Sequence, residues 1–372
     1  MIGSKMVGLK LLSGISAFIL FAAAAPAFAQ VPTEVPPVIP TAKPVGVEHI
    51  KVHSPAIEGN LEGESADRDV IVFLPPSYNT DSHRRYPVVY ALHGYSIGAE
   101  QWTHEIHVPQ TIEGAFAQGA HEMIVVLPDS KTIYLGSMYS SSQTTGDFER
   151  FIYHDLVSYI DAHYRTIPDR RSRGLVGHSM GGYGASRIGM KHPDVFGALY
   201  LMSPCCMSPM TGGFGPPDQA KERAIANEKK VAAAKSPADL AAQSPGFASA
   251  PFATAAAFAP DPKNPPLYFD LPTKNGDPQP EIVAKFDTNA PLAFVDQYIG
   301  NLRQYRAIAE DVGDQDGLHF DTQKFHEILQ SYGLKDSFEL YHGTHTSAVA
   351  DRFQNHVLPF FSRNLCAAPN CK

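Results

Sequence analysis

The chain has 372 residues, of which 44% are hydrophobic and 18% charged, and this apolar share suits a large buried core and excludes a disordered chain. The length fits one large α/β domain or two ordinary domains. Thirty Lys and Arg residues against 38 Asp and Glu leave a formal net charge of −8 at pH 7, which disfavours polyanionic partners such as nucleic acids and anionic membrane surfaces.

The first 29 residues have the pattern of a secretory signal peptide. Lys5 and Lys10 precede an apolar run that extends from Leu11 to Ala25. Ala27-Phe28-Ala29 then supplies the small residues of a cleavage site. The run is short for a membrane span and no basic stop-transfer cluster follows it, which disfavours an uncleaved anchor. We therefore expect a mature chain that begins near Gln30 and is exported to the periplasm or the extracellular space.

Beyond this segment, residues 30–45 are rich in Pro and Val and predict an extended tether, whereas residues 46–372 predict one domain. Short apolar runs bounded by turn residues are typical of strands buried on both faces. They predict strands at Val70–Leu74, Tyr86–Leu92, Met123–Leu127, Gly174–Gly177, Phe196–Met202, Ala307–Val312 and Phe338–Tyr341. Helices are predicted from Asp147 onward, over Met180–Lys191, over Phe325–Tyr332 and over Ser347–Phe361. This alternation predicts an α/β fold, with a mostly parallel central sheet and helices on both faces.

Residues from about 205 to 300 interrupt the alternation. They are rich in Ala and Pro, and predict a helix over Gln219–Ala234 followed by irregular chain. A stretch of this length inside a compact domain is usually functional. It begins at the end of the predicted strand Phe196–Met202, next to the residues with predicted catalytic roles. We therefore expect a cap-like insertion over the site, with a surface decoration as the alternative.

Export would permit disulfide bonds among the four cysteines. Neighbouring Cys205 and Cys206 could bond to each other only through a strained ring, whereas Cys366 and Cys371 flank a short turn. We expect the Cys366–Cys371 pair to be bonded. No metal site is predicted, because the cysteines lack metal-binding spacing and residues 104–107 lack the H-E-x-x-H spacing of zinc proteases.

The strongest functional motif is Gly177-His178-Ser179-Met180-Gly181, a G-x-S-x-G sequence between a predicted strand and a predicted helix. Small residues on either side of the serine permit a sharp turn, which would lift the Ser179 hydroxyl above the carboxyl edge of the sheet. The pattern alone also occurs in ordinary glycine-rich turns, but the strand before it and the helix after it favour a nucleophile. His178 is expected to support the turn.

A serine nucleophile needs a base and an acid that orients this base, in the chain order Ser, Asp, His for this type of fold. Asp316, in the turn after the strand that ends near Val312, is the predicted acid, with Asp314 as the second choice. His345, in the turn after the last strand, is the predicted base, and His342 is expected to be structural.

Acyl transfer also requires donors for the developing oxyanion. The backbone N–H groups of Met180, which follows the nucleophile, and of Tyr95, in the loop after an earlier strand, are the predicted donors.

These motifs together resemble the esterase branch of the α/β-hydrolases, which includes feruloyl esterases, S-formylglutathione hydrolases, enterochelin-esterase-like proteins and the antigen 85 mycolyltransferases. The similarity covers about residues 65–363. The matching segments are Leu92-His93-Gly94, Gly136-Ser137-Met138-Tyr139, residues 173–184 around Ser179, and His192-Pro193-Asp194-Val195-Phe196. The resemblance implies an α/β-hydrolase fold and hydrolysis of a small-molecule carboxylic ester through an acyl-enzyme, without a cofactor. Trp102, Tyr139 and the insertion are candidates for lining the substrate pocket.

Two other functions remain open at this stage. The same triad could transfer the acyl group to an alcohol, which would require a site that excludes water. Alternatively, the fold could serve a non-catalytic binding protein, because fold alone does not determine function. The oligomeric state is not predicted.

Overall fold

The computed structural model describes Met1, Gly3 and residues 31–209, 216–368 and 371. The predicted signal peptide therefore lies almost entirely outside the described residues. Within the described part of the chain, no helix has both the length and the hydrophobicity needed to cross a membrane.

Eight strands form one central sheet. They are β1 (Gly46–His53), β2 (Asp67–Leu74), β3 (Val88–Leu92), β4 (Ile124–Pro128), β5 (Arg173–His178), β6 (Ala198–Met202), β7 (Ala307–Gly313) and β8 (Ser337–Tyr341). Their spatial order is β1-β2-β4-β3-β5-β6-β7-β8. Strand β2 is antiparallel to both of its neighbours, and the remaining pairs are parallel. This confirms the prediction of a mostly parallel sheet.

Helices cover both faces of the sheet. They are α1 (Ala99–Glu105), α2 (Val108–Ala117), α3 (148–163), α4 (Met180–Lys191), α5 (Ala220–Ala233), α6 (Pro237–Ala242), α7 (Ala250–Phe258), α8 (Pro280–Asp287), α9 (Pro291–Phe294), α10 (Ile299–Leu302), α11 (His319–Ser331) and α12 (349–364). Helices α3 and α4 and the insertion pack on one face, whereas α1, α2 and α12 pack on the other. The Asp147 side chain accepts a hydrogen bond from Arg150 N and so caps α3, which begins where the sequence predicted a helix.

The insertion is more regular than the sequence predicted. Helix α5 confirms the predicted helix over Gln219–Ala234, but the expectation of irregular chain after it is wrong, because helices α6 to α10 and a two-residue strand pair follow. Helix α7 is almost fully buried and consists mainly of alanine and phenylalanine. Amphipathic periodicity cannot reveal such a helix, because it has no polar face.

The two ends of the described domain are attached to its body. Residues 31–45 have no regular secondary structure, but they lie against the domain rather than extending from it as a free tether. For example, Val31 N donates to the Glu105 carboxylate and Gln110 donates to the Pro36 carbonyl. At the other end, a disulfide joins Cys366 to Cys371 as expected, and Cys205 and Cys206 are free and buried.

Candidate active site

The turn between β5 and α4 holds Ser179 in an unusual backbone conformation, with φ 57° and ψ −115°. The neighbouring glycines make this turn possible. A Cβ atom on Gly177 would lie 2.1 Å from the Gly181 carbonyl carbon, and a Cβ atom on Gly181 would lie 2.0 Å from the Leu92 carbonyl oxygen. Larger residues therefore cannot occupy these two positions without backbone movement. The strained serine marks this turn as a candidate catalytic centre.

Three side chains that are distant in sequence meet at this turn. His345 Nε2 lies 2.9 Å from Ser179 Oγ, and His345 Nδ1 lies 2.7 Å from Asp316 Oδ2. The three residues follow the carboxyl ends of the parallel strands β5, β7 and β8, and those ends share one edge of the sheet. In the tautomer that this arrangement favours, Nδ1–H donates to Asp316 and Nε2 accepts the serine proton.

Asp316 is set up to remain ionised. Its side chain is 5% exposed, and burial alone would raise its pKa. Hydrogen bonds from His345 and from Leu318 N outweigh burial and lower the pKa of Asp316 below its usual value. The carboxylate can therefore orient the imidazole and stabilise its protonated form.

The second-choice residues form a separate pair. Asp314 accepts a hydrogen bond from Gly343 N and lies 3.1 Å from His342 Nδ1. The hydrogen bond with His342 lowers the pKa of Asp314, and the His342 side chain is 81% exposed. This pair fastens the turn that carries His345, whereas Asp316 contacts His345 itself.

His178 supports the loop that carries His345 as well as the turn that holds Ser179. Its Nε2 lies 2.9 Å from the His345 carbonyl oxygen. Burial lowers the pKa of His178 to about 3, so the ring is neutral and donates Nε2–H to that carbonyl. His178, the residue before Ser179, thus holds the backbone of His345 in place.

Two backbone N–H groups are available beside the nucleophile. The loop after β3 passes close to the turn that holds Ser179: a Cβ atom added to Gly94 would lie 3.4 Å from Ser179 Cβ. The N–H groups of Tyr95 and Met180 have no hydrogen-bond partner in the described part of the chain. His93 fixes this loop, since its Nδ1 lies 2.9 Å from Gly94 O and its Nε2 accepts from Ser130 N. These N–H groups are suited to stabilising an oxyanion.

The structure corrects two predicted pocket residues. Trp102 is fully buried and packs edge-on against Phe353 in the core on the α12 side, so it does not line an accessible pocket. Tyr139 is also fully buried, and its hydroxyl donates to the His93 carbonyl. Tyr139 therefore supports the loop that presents Tyr95.

An aromatic side chain that the sequence did not single out lies near the site. Phe247, in the insertion, is 65% exposed, and its ring centre is 5.4 Å from that of Tyr95. No sequence pattern identifies Phe247, because its contact with Tyr95 depends on how the insertion folds back.

Comparison with known proteins gives a family match and partial relatives. The family model described as "Putative esterase" matches residues 64–356. An endo-1,4-beta-xylanase/feruloyl esterase of Xylanibacter ruminicola is 28% identical over 157 residues, which cover 41% of this chain and 20% of that protein. An esterase of Mycobacterium tuberculosis is 30% identical over 124 residues, which cover 33% of this chain and 26% of that protein. The matches thus span about a fifth to a quarter of these two relatives.

Solved structures share the whole fold. A ferulic acid esterase has a TM-score of 0.61 at 23% identity, covering 87% of this chain and 99% of that chain. FphF, a fluorophosphonate-binding serine hydrolase of Staphylococcus aureus, has a TM-score of 0.56 at 15% identity, covering 86% and 98%. A ferulic acid esterase from Anaeromyces mucronatus, solved with ferulic acid, has a TM-score of 0.52 at 19% identity, covering 88% and 94%. These similarities confirm the predicted α/β-hydrolase fold.

Proposed function

The chain belongs to this esterase family, and we propose that it is a serine esterase that hydrolyses small-molecule carboxylic esters through Ser179, His345 and Asp316. The observation that carries the proposal is the continuous hydrogen-bonded series from Asp316 through His345 to Ser179, with distances of 2.7 and 2.9 Å. Family membership supports ester hydrolysis in general.

The proposed reaction proceeds through an acyl-enzyme. His345 Nε2 takes the proton of Ser179 Oγ as this oxygen attacks the ester carbonyl carbon. The N–H groups of Met180 and Tyr95 hold the resulting oxyanion, and Asp316 stabilises the protonated imidazole. As the tetrahedral intermediate collapses, the alcohol leaves with the proton from His345. Water then adds to the acyl-enzyme by the same steps in reverse and releases the acid.

We further propose an aromatic acyl group as the preferred substrate class. Support comes from Phe247 and Tyr95, because their ring pair presents apolar surface next to the N–H donor of the loop after β3. The insertion would then act as the predicted cap by contributing Phe247. A panel of p-nitrophenyl esters of rising chain length, with methyl ferulate and a thioester alongside, tests this preference. Loss of methyl ferulate turnover in Phe247→Ala, with p-nitrophenyl acetate turnover retained, is the expected result.

The proposed site of action is the periplasm or the extracellular space. The signal-peptide pattern of residues 1–29 supports export, and so does the Cys366–Cys371 disulfide, since such bonds persist in oxidising compartments. Amino-terminal sequencing of the exported protein should give a first residue near Gln30.

Labelling with a fluorophosphonate probe tests the nucleophile. We expect the native protein to be labelled and Ser179→Ala to lose both labelling and about 10⁶-fold of kcat. Ser82→Ala, a change at an exposed serine far along the chain from the motif, is the matched control and should behave like the native protein. Labelling that survives in Ser179→Ala would reject Ser179 as the nucleophile.

Acyl transfer is separated from hydrolysis by product analysis with added glycerol. Release of free acid as the main product supports the esterase, whereas accumulation of the glyceryl ester would identify the acyltransferase.

A further inference from the structure

A second cluster of ionisable side chains lies outside the active site, between β7, α11 and the start of β8. Glu310 is in the middle of β7, where it is in register with Phe338 of β8. His326 is on α11, and Asp336 directly precedes β8. One ligand atom from each of Glu310, His326 and Asp336 lies within 4.8 Å of the other two.

Glu310 is an unusual residue for the interior of a sheet. It is 1% exposed, and neither oxygen of its carboxylate accepts a hydrogen bond from a donor in the described part of the chain. Leaving a buried carboxylate unpaired is strongly unfavourable, so native structures normally supply such a group with a donor or a cation. Its neighbours in the cluster include a second carboxylate, Asp336, and two ionised carboxylates cannot satisfy each other. Either a cation or a proton must therefore lie between them.

The other two members are already oriented. His326 Nδ1 lies 2.6 Å from Asp336 Oδ2, and Gln330 Nε2 donates to the other oxygen of Asp336. The His326 ring stacks on Phe338, with ring centres 4.9 Å apart. The Asp336 side chain is fully buried, whereas 27% of the His326 side chain is exposed. The cluster is thus closed toward the sheet and open at the imidazole, where an ion could enter.

We propose that Glu310, His326 and Asp336 bind a first-row divalent transition-metal ion, with Zn²⁺ as the best match. Zn²⁺ combines imidazole nitrogen with carboxylate oxygen at bond lengths of about 2.0–2.2 Å and commonly completes a tetrahedral shell with water. The imidazole ligand disfavours Ca²⁺ and Mg²⁺, which prefer oxygen ligands alone. Gln330 is a supporting residue that orients Asp336, as outer hydrogen bonds do in metal sites.

The proposed ion is structural rather than catalytic. It connects β7, α11 and β8, and the turn between β7 and α11 carries Asp316. Bound metal would therefore stabilise the unit that presents the acid of the triad, without contacting the substrate. A metal that binds only the folded chain raises its unfolding temperature.

The alternative is a proton shared by Glu310 and Asp336, with no metal. Burial and the nearby Asp336 carboxylate both raise the pKa of Glu310 well above its usual value, which favours protonated Glu310 as long as no metal is bound. The two possibilities differ in whether Zn²⁺ binds at this cluster.

The test uses the full mature chain after chelator treatment and dialysis. Zn²⁺ is titrated by calorimetry, and thermal unfolding is followed with and without Zn²⁺. We expect one tight equivalent and a rise of at least about 2 °C in Tm for the native protein. In Glu310→Gln the affinity of that equivalent should fall on the order of 100-fold and the rise in Tm should disappear.

Two further variants make the result specific. His326→Gln should also abolish tight Zn²⁺ binding. Because the His326 side chain is partly exposed, this variant is less disruptive to the core, so the result would not depend on the folding of Glu310→Gln. Asp314→Asn is the matched control, because Asp314 forms an Asp–His pair with His342 that includes no buried third carboxylate. It should retain tight binding. Equal Zn²⁺ affinity in the native protein and Glu310→Gln, or no tight equivalent in the native protein, would overturn the proposal in favour of the shared proton.

Discussion

Asp314 and Asp316 are two residues apart in one turn, yet they contact different histidines. Asp316 lies 2.7 Å from the Nδ1 atom of His345, whereas Asp314 lies 3.1 Å from the Nδ1 atom of exposed His342. The two carboxylates thus allow a direct comparison between the proposed acid, which contacts His345, and a residue that only fastens the loop.

We predict that Asp316→Asn lowers kcat by about 10³–10⁴-fold, because an amide cannot stabilise the protonated His345 and favours the wrong tautomer. Steady-state kinetics with p-nitrophenyl acetate measure this change. The fold should remain intact, since Leu318 N can still donate to the side-chain oxygen of Asn.

Asp314→Asn is the control for this prediction. It should reduce kcat by less than about tenfold, because His345 keeps its own carboxylate and only the loop contact weakens. If Asp314→Asn lost as much kcat as Asp316→Asn, the assignment of the acid role to Asp316 alone would be wrong, and Asp314 would become a candidate for that role.

At the residue scale, the sequence correctly predicted which residues meet at the ends of the strands. It did not predict which side chains are buried by packing. Ser179, Asp316 and His345 follow three parallel strands, so their convergence could be expected from topology alone. Trp102 and Tyr139 were assigned to a pocket on their chemistry, but both side chains are directed into the core. Trp102 lies in helix α1 and Tyr139 in a loop with a positive φ of 44°, and the burial of each side chain depends on how these elements pack in three dimensions.

At the scale of elements, a buried ion cluster joins α3 to α4. Glu149, at the start of α3, accepts hydrogen bonds from Arg187 and Lys191 of α4 and contacts His192 at its end. Burial raises the pKa of Glu149, but these partners outweigh it and lower the pKa to about 2. Helix α4 begins directly after Ser179, the proposed nucleophile, and this cluster holds the other end of the helix in place.

We predict that Glu149 stabilises the fold in a pH-dependent way. Its folded pKa is below the unfolded value of about 4.3, so the stabilisation is present above that pH and is lost as the pH falls toward 2. Glu149→Gln should lower the free energy of unfolding by about 3 kcal/mol at pH 7 and by about half as much at pH 3. Urea unfolding at the two pH values measures both quantities.

The exposed pair Lys221–Asp277 provides the control for Glu149. Its side chains are 62% and 69% exposed, so Asp277→Asn should leave stability nearly unchanged at both pH values. If Glu149→Gln lost the same stability at pH 3 as at pH 7, depression of the Glu149 pKa would not be the source of the stabilisation.

The elements themselves were predictable to different degrees. Strands β3 and β4 are buried throughout, and continuous apolar runs revealed them. Strand β1 was missed, because it lies at the sheet edge with most residues exposed and its sequence contains few apolar residues. In the insertion, the sequence predicted α5 but missed α6 to α10. Helix α7 was missed for the opposite reason, because it is buried on nearly all sides and has no polar face.

At the scale of the whole molecule, residues 33 and 34 brace the loop that carries His345. Glu34 N donates to the Ser347 carbonyl, and Thr33 Oγ1 both donates to that carbonyl and accepts from Ala350 N. Ser347 in turn accepts a hydrogen bond from Thr344 N, next to His345. Residues 33 and 34 thus connect the amino-terminal segment of the described domain to the loop that carries His345, more than 300 residues away in sequence.

We predict that a chain beginning at residue 37 is less stable and less active than one beginning at residue 31. Without Thr33 and Glu34, the Ser347 carbonyl loses its donors and the His345 loop gains freedom, so kcat should fall by about 3–10-fold while KM changes little. Thermal unfolding and steady-state kinetics measure the two effects.

Two point variants separate the brace from a general effect of truncation. Thr33→Val removes the hydroxyl that bridges Ser347 and Ala350 but keeps the shape of the side chain, so it should reproduce part of the fall in kcat. Thr41→Val changes an exposed threonine of the same segment and should have no effect. A truncated chain with native kcat would show that the sheet, the hydrogen bond from His178 to the His345 carbonyl and the contacts of Asp314 with residues 342 and 343 hold that loop without the amino-terminal segment.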